Sequence, residues 1–147
     1  MKEYKPKIFK WKKLHNKLLK RKLKQKNYKH FYIYKGFLGL KALQSDVISS
    51  KELKTVFSTM LKKCGRQYKI WLYCYPNYSF TSKSISVRMG KGIGGLDSNW
   101  LYCIKKNTIF FEFSSKSLNF LKTGLKSCKK KLRISCRIIQ KNSKWKF

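Results

Sequence analysis

Between Ser49 and Gly65 the apolar residues keep a helical period. Leu53, Val56, Phe57, Met60, Leu61 and Cys64 fall at i, i+3, i+4, i+7, i+8 and i+11. Ser49, with Glu52 three residues on, makes a capping box at the start, and Gly65 ends the run. A second stripe, Leu118, Leu121, Leu125, Cys128 and Leu132, predicts another amphipathic helix with Ser115 or Ser117 as its cap. Gly124 and Lys129–Lys131 fit its last turn, facing an anion or the negative end of the helix dipole. Elsewhere the period is two. Tyr68–Tyr75 sets Ile70, Leu72 and Cys74 on one face and Lys69, Trp71 and Tyr73 on the other. Arg133–Ile139 turns Ile134, Cys136 and Ile138 inward. Asn99–Ile104 and Thr108–Phe113 read as a hairpin across Lys105-Lys106-Asn107. Residues 31–48 alternate as well, with Gly36 and Gly39 marking a bend or bulge, and Pro76-Asn77 turns the chain. The order β-β-α-β-β-β-α-β predicts an α+β domain over residues 31–139, with a mixed or antiparallel sheet and two amphipathic helices.

One stretch obeys neither period. Val87–Gly95 holds four glycines in nine residues with two cations, and glycine weakens helices and strands alike. A loop tethered between ordered strands, with Thr81–Ile85 leading into it, is the expected form. Gly90, Gly92 and Gly95 match G-x-G-x-x-G by spacing, but that fingerprint needs a helix opening after the glycines, and no helical period follows. The phosphate-loop pattern fails because no Gly-Lys-Ser/Thr is present. What remains is a solvated hairpin tip or a loop inserted into RNA.

Charge separates those two. In 147 residues, 37 are Lys or Arg and only five are acidic, a formal net charge of +32. A compact domain so charged repels itself unless a polyanion neutralises it, and nucleic acid is the polyanion that charge and a 16% aromatic content favour together. The 42% hydrophobic content supports a real core, which excludes a disordered polycation. No run of eighteen apolar residues exists, so no membrane segment is expected. Lysine outnumbers arginine 32 to 5 and Ala42 is the only alanine. Arginine usually serves RNA better, so this is a coding bias of a very A/T-rich genome, such as an organelle's or a parasite's.

Residues 1–35 carry fourteen Lys/Arg interleaved with Phe9, Trp11 and leucines, which reads as a basic arm (residues 1–30) that folds on RNA. Transit peptides are rich in Arg and Ser; one Arg and no Ser precede position 45, so no cleavable segment is expected. Residues 140–147 form a short basic tail. Cys64, Cys74, Cys103, Cys128 and Cys136 lack C-x-x-C spacing and read as reduced, buried thiols; no metal or cofactor is expected. His15 and His30 have no carboxylate beside them, and no pair of acids is adjacent. No catalytic residue is assigned. Glu112, between Phe111 and Phe113, is expected to pair with a nearby lysine.

Several ordered motifs resemble one family. Pro6-Lys7 followed by Lys10-Trp11-Lys12-Lys13-Leu14-His15 is similar to the opening of the universal uL16 family of large-subunit ribosomal proteins in its bacterial-type form. Gly39-Leu40-Lys41-Ala42 resembles its glycine-bearing strand. Lys69-Ile70-Trp71 and Tyr75-Pro76 resemble its central strand. Val87-Arg88-Met89-Gly90-Lys91-Gly92 is identical to its signature loop, and Trp100 and Glu112 fall at the expected spacings. The resemblance spans residues 6–139.

The resemblance implies an α/β hammerhead-type fold and a structural role on large-subunit rRNA, among neighbouring ribosomal proteins and near the site of aminoacyl-tRNA accommodation. It makes Lys7, Lys10, Trp11, Lys12, Lys13, His15, Arg21, Lys22 and Lys41 rRNA contacts. Arg88, Met89, Gly90, Lys91 and Gly92 become the loop at the tRNA site. The chain departs from the family at Ile93, where a second loop lysine is usual, at Arg133 in place of a proline, and at Tyr78-Ser79 in place of Lys-Pro. This divergence, the coding bias and the absence of a presequence ahead of Pro6 point to an organelle-encoded protein of the mitochondrion, or second a plastid or apicoplast.

Overall fold

The computed structural model describes Pro6 and residues 13–14, 16–24, 30–65, 67–90 and 92–141. The elements are α1 (Asn16–Lys24), β1 (Leu38–Ala42), β2 (Asp46–Ser49), α2 (Ser50–Cys64), β3 (Tyr68–Leu72), β4 (Tyr78–Ser82), β5 (Gly95–Ile104), β6 (Ile109–Ser115), α3 (Leu118–Lys131) and β7 (Cys136–Gln140). They form an α+β fold with a four-stranded sheet ordered β3-β6-β1-β7 and a three-stranded sheet ordered β2-β5-β4. Every pairing is antiparallel.

The two long helices follow from their sequence. At α2 the Ser49 hydroxyl accepts the Glu52 N–H at 3.2 Å while the Glu52 carboxylate accepts the Ser49 N–H at 2.7 Å. Each half of this box satisfies a donor that the first turn would otherwise orphan. Gly65, at φ 62°, closes the helix with its N–H on the Leu61 carbonyl. Leu53, Val56 and Met60 of α2 and Leu121, Leu125 and Cys128 of α3 are fully buried with Leu38, Leu40, Phe111 and Phe113 of the larger sheet. Phe57 meets Phe111 edge-on at 5.9 Å. Gly124 sits mid-helix, not in the last turn. A Cβ there would stand 3.1 Å from Met60 Sδ and 3.2 Å from Cys64 Sγ, so the glycine lets α3 lie close on α2. Ser117 is the residue that caps α3, without a side-chain hydrogen bond.

Two strand expectations are corrected. The expected hairpin of residues 99–104 and 108–113 does not form, because β5 pairs with β2 and β4 whereas β6 pairs with β1 and β3. The Lys105–Asn107 corner therefore passes the chain between sheets. Apolar alternation identified both strands, but it does not specify the partner. A further strand, β4, precedes the glycine loop; Tyr78-Ser79 begins it, and the expected order had no strand there.

Residues 30–36 are not a strand. They run as a strap over the face of the four-stranded sheet away from α2 and α3. Ile33 touches the Cβ position of Gly39, the His30 carbonyl accepts the Ile109 N–H at 2.8 Å, and His30 stacks on Tyr73 at 4.5 Å. Glu112 pins the strap. Its side chain, fully buried, accepts the N–H groups of Tyr34 (3.0 Å), Lys35 (2.8 Å) and Gly36 (2.8 Å). Among the described residues the expected lysine ion pair is thus replaced by a backbone cradle, which satisfies a buried carboxylate with fixed donors.

Candidate nucleic-acid interface

The loop of residues 83–94 joins β4 to β5, neighbours in the smaller sheet, so both of its ends are held by one hydrogen-bonded ladder. Its base is pinched. Any side chain at Gly94 would collide with the Ser82 carbonyl and the Lys83 amide, so only glycine lets the returning strand pass so close. Beyond the pinch, Gly90 (φ 110°) and Gly92 (φ 73°) adopt left-handed backbone that other residues resist. Among the described residues, Lys83 Nζ donates to the Gly90 carbonyl and the Val87 N–H donates to the Ser84 carbonyl, which shapes the turn. Gly95 then opens strand β5 and not a helix, which removes the dinucleotide reading of the glycines.

This loop buries almost nothing. Ile85 and Met89 are as exposed as in an open chain, at 106% and 102%, and Val87, Arg88 and Ile93 are exposed too. Apolar side chains so displayed contribute nothing to the core. Below the tip is an open hollow of about 510 Å³, bounded by the loop and by Lys13. One residue expected in the arm is therefore brought to the loop expected at the tRNA site.

The neighbouring segment, expected to be a basic arm that folds on RNA, contains helix α1. Leu19 is its buried anchor, beside Cys103 of β5, while Arg21 and Lys22 are exposed. Lys22 lies near Lys105, whose ammonium is pushed below its usual range first by burial and also by Lys22. Lys41 stands apart from the loop, on β1 opposite Arg137 of β7. Lys7, Lys10, Trp11, Lys12, His15 and Lys91 lie outside the described residues, as does the tail from residue 142.

The four acids among the described residues are already occupied. Asp46 accepts its neighbour's N–H at 2.7 Å and lies 3.6 Å from Arg133. Glu52 is in the capping box, Asp97 accepts from Asn99 at 3.2 Å, and Glu112 holds the strap. With 37 cations against five acids, most of the positive charge must find its counter-charge outside the chain. The thiols offer little chemistry. Burial pushes all five up, Cys128 to about 12, so they stay protonated and weakly nucleophilic near neutrality. Among the described residues no helix is long and apolar enough to cross a membrane.

Comparison with known proteins identifies the family. Residues 6–139 match the family described as Ribosomal protein L16p/L10e. The chain belongs to that family. It is 30% identical over 110 residues to the large ribosomal subunit protein uL16 of Malacoplasma penetrans, covering 75% of this chain and 78% of the relative. Against uL16 of Lacticaseibacillus casei the identity is 32% over 106 residues, with 72% and 73% covered. Against that of Lactobacillus acidophilus it is 30% over 112 residues, with 76% of each covered. Membership of this ribosomal protein family makes the chain a structural constituent of the large subunit and not an enzyme.

Two features escaped the sequence. The backbone cradle of Glu112 joins residues 76 to 78 positions apart, and no local pattern announces it. The exposure of Tyr32 and Tyr34 also went unmarked, although both alternate with Ile33, and a strap packed on one side only would show that signal.

Proposed function

We propose that this uL16-family chain binds large-subunit rRNA through its basic N-terminal segment. Its 83–94 loop would face aminoacyl-tRNA near the peptidyl-transferase centre. The observation that carries this reading is the exposed tip: the family's Val87–Gly92 sequence stands on a hairpin pinched at its base, beside Lys13, and buries no core surface. In this role Arg88 neutralises phosphate, while the glycines let backbone approach RNA closely. The protein holds RNA in place and the RNA does the chemistry. Lys7, Lys10, Trp11, Lys12, His15, Arg21, Lys22 and Lys41 are further rRNA contacts on the family's pattern. Ile93 makes the loop less cationic and more apolar than that pattern.

The ribosome is that of an organelle, the mitochondrion first and a plastid or apicoplast second. The support is the preference for Lys over Arg and the single alanine, the marks of an A/T-rich gene; the relatives named above are bacterial. Gradient sedimentation of fractionated organelles tests the placement. The chain is expected with the large subunit at both low and high magnesium, and recovery at the top of the gradient contradicts it. Replacing Arg88 with Ala is expected to leave subunit assembly intact while slowing elongation; normal elongation would remove the loop from the tRNA site.

A further inference from the structure

The outer side of the strap carries a surface that the loop and the basic N-terminal segment do not explain. Ile33 points down onto Gly39, and its neighbours Tyr32 and Tyr34 point away, 71% and 61% exposed. An exposed tyrosine ring is a large apolar area left in water, and two of them one residue apart on a pinned backbone form a platform. The cradle on Glu112 holds that backbone still, and Lys141 Nζ donates to the Tyr34 carbonyl at 3.0 Å, which sets an ammonium at the strap's backbone.

The sheet face beneath the strap extends the pattern. Directly opposed residues of antiparallel strands share a face. Trp71 opposes Glu112 and Lys69 opposes Ser114, so Lys69 flanks the strap on the β3 edge. Arg137 opposes Lys41 on the β7 side. Lys69 and Arg137 are exposed, as is Lys35 within the strap. The carboxylate on this face, Glu112, is buried and taken up by three N–H groups. The surface is therefore rings in the middle and cations at both margins.

We propose that this strap-covered face is a second RNA-binding surface, which stacks unpaired bases on Tyr32 and Tyr34 while the marginal cations hold the phosphates. Rings serve single strands, because a base in a duplex has no free face to offer. The cationic margins suit a polyanion and repel a basic ribosomal neighbour. The proposal rests on RNA being the partner, but not on where in the ribosome the loop lies.

The test uses the full chain, with an oligouridylate and an RNA duplex of equal length as probes. Binding is measured over rising salt, where phosphate contacts weaken and stacking persists. Tyr32→Leu with Tyr34→Leu keeps apolar bulk and removes the rings; Tyr32→Phe with Tyr34→Phe restores them. The leucine pair is expected to lose about tenfold in affinity per ring for the single strand. Its salt slope and its duplex binding should stay as they were, and the phenylalanine pair should match the parent chain. Unchanged single-strand affinity of the leucine pair overturns the proposal, and so does an equal loss on the duplex. Failure of the chain to sediment with large subunits, with the ring-dependent binding intact, would refute the ribosomal placement and leave this surface standing. Sedimentation without ring dependence would do the reverse.

Discussion

The loop of residues 83–94 and the strap of residues 30–36 are both irregular, yet they are held in opposite ways. The loop is held to the body at its base, by the contact that Gly94 allows with the Ser82 carbonyl, and its described side chains face water. The strap is fixed along its length by Glu112, Ile33 and the His30–Tyr73 stack. Loop side chains can therefore change without loss of fold. Strap residues answer to the core on one side and to solvent on the other.

The largest effect is expected at the strap. Glu112→Ala leaves three N–H groups without their acceptor and should cost about 3 kcal/mol, read as a lower midpoint in chemical denaturation. Glu112→Gln keeps one acceptor oxygen and should cost less. If the alanine variant lost under about 0.5 kcal/mol, the strap would not be pinned by this carboxylate.

At the loop's base, Gly94→Ala should cost about 2 kcal/mol, because the added methyl group meets backbone that must shift. Retained stability there would mean that the pinch is soft.

Alkali separates core from loop by another route, since the loop holds no thiol. All five cysteines lie above their ordinary 9.0 because burial opposes the thiolate. Tyr73 is likewise pushed to about 12 by burial and then by the Glu112 charge. Raised values mean that the folded chain keeps protons which the unfolded chain releases. The stability they supply is therefore whole below pH 9 and falls as pH rises beyond it. Denaturation midpoints between pH 7 and pH 10 check this; a flat profile above pH 9 would contradict it.

The smallest effect is expected at the tip. Met89→Ala and Arg88→Ala should change stability by no more than about 0.5 kcal/mol, since neither side chain is buried. A larger loss would mean that the tip packs on the body.

How far these regions could be read in advance depends on how local their causes are. The Ser49–Glu52 box lies within one helical turn and the stripe from Leu53 to Cys64 repeats from turn to turn; both formed where expected, except that Leu61 is exposed and not core. The loop was legible because clustered glycines weaken helix and strand alike, although the last of the four, Gly95, opens β5. Strand pairing was not, since β5 and β6 alternate alike and their partners lie far along the chain. Gly124 looked like a helix end because its packing against Met60 and Cys64 is tertiary. Glu112 drew an expected lysine because lysines are everywhere in the sequence; its real partners are backbone groups, which have no letter.

The most direct test of the loop's role is site-specific photo-cross-linking from position 89 in large subunits carrying aminoacyl-tRNA, with the linked RNA sequenced. Cross-links to the tRNA, or to rRNA lining its path, are expected. Cross-links to ribosomal proteins alone would contradict a place for the loop at the tRNA.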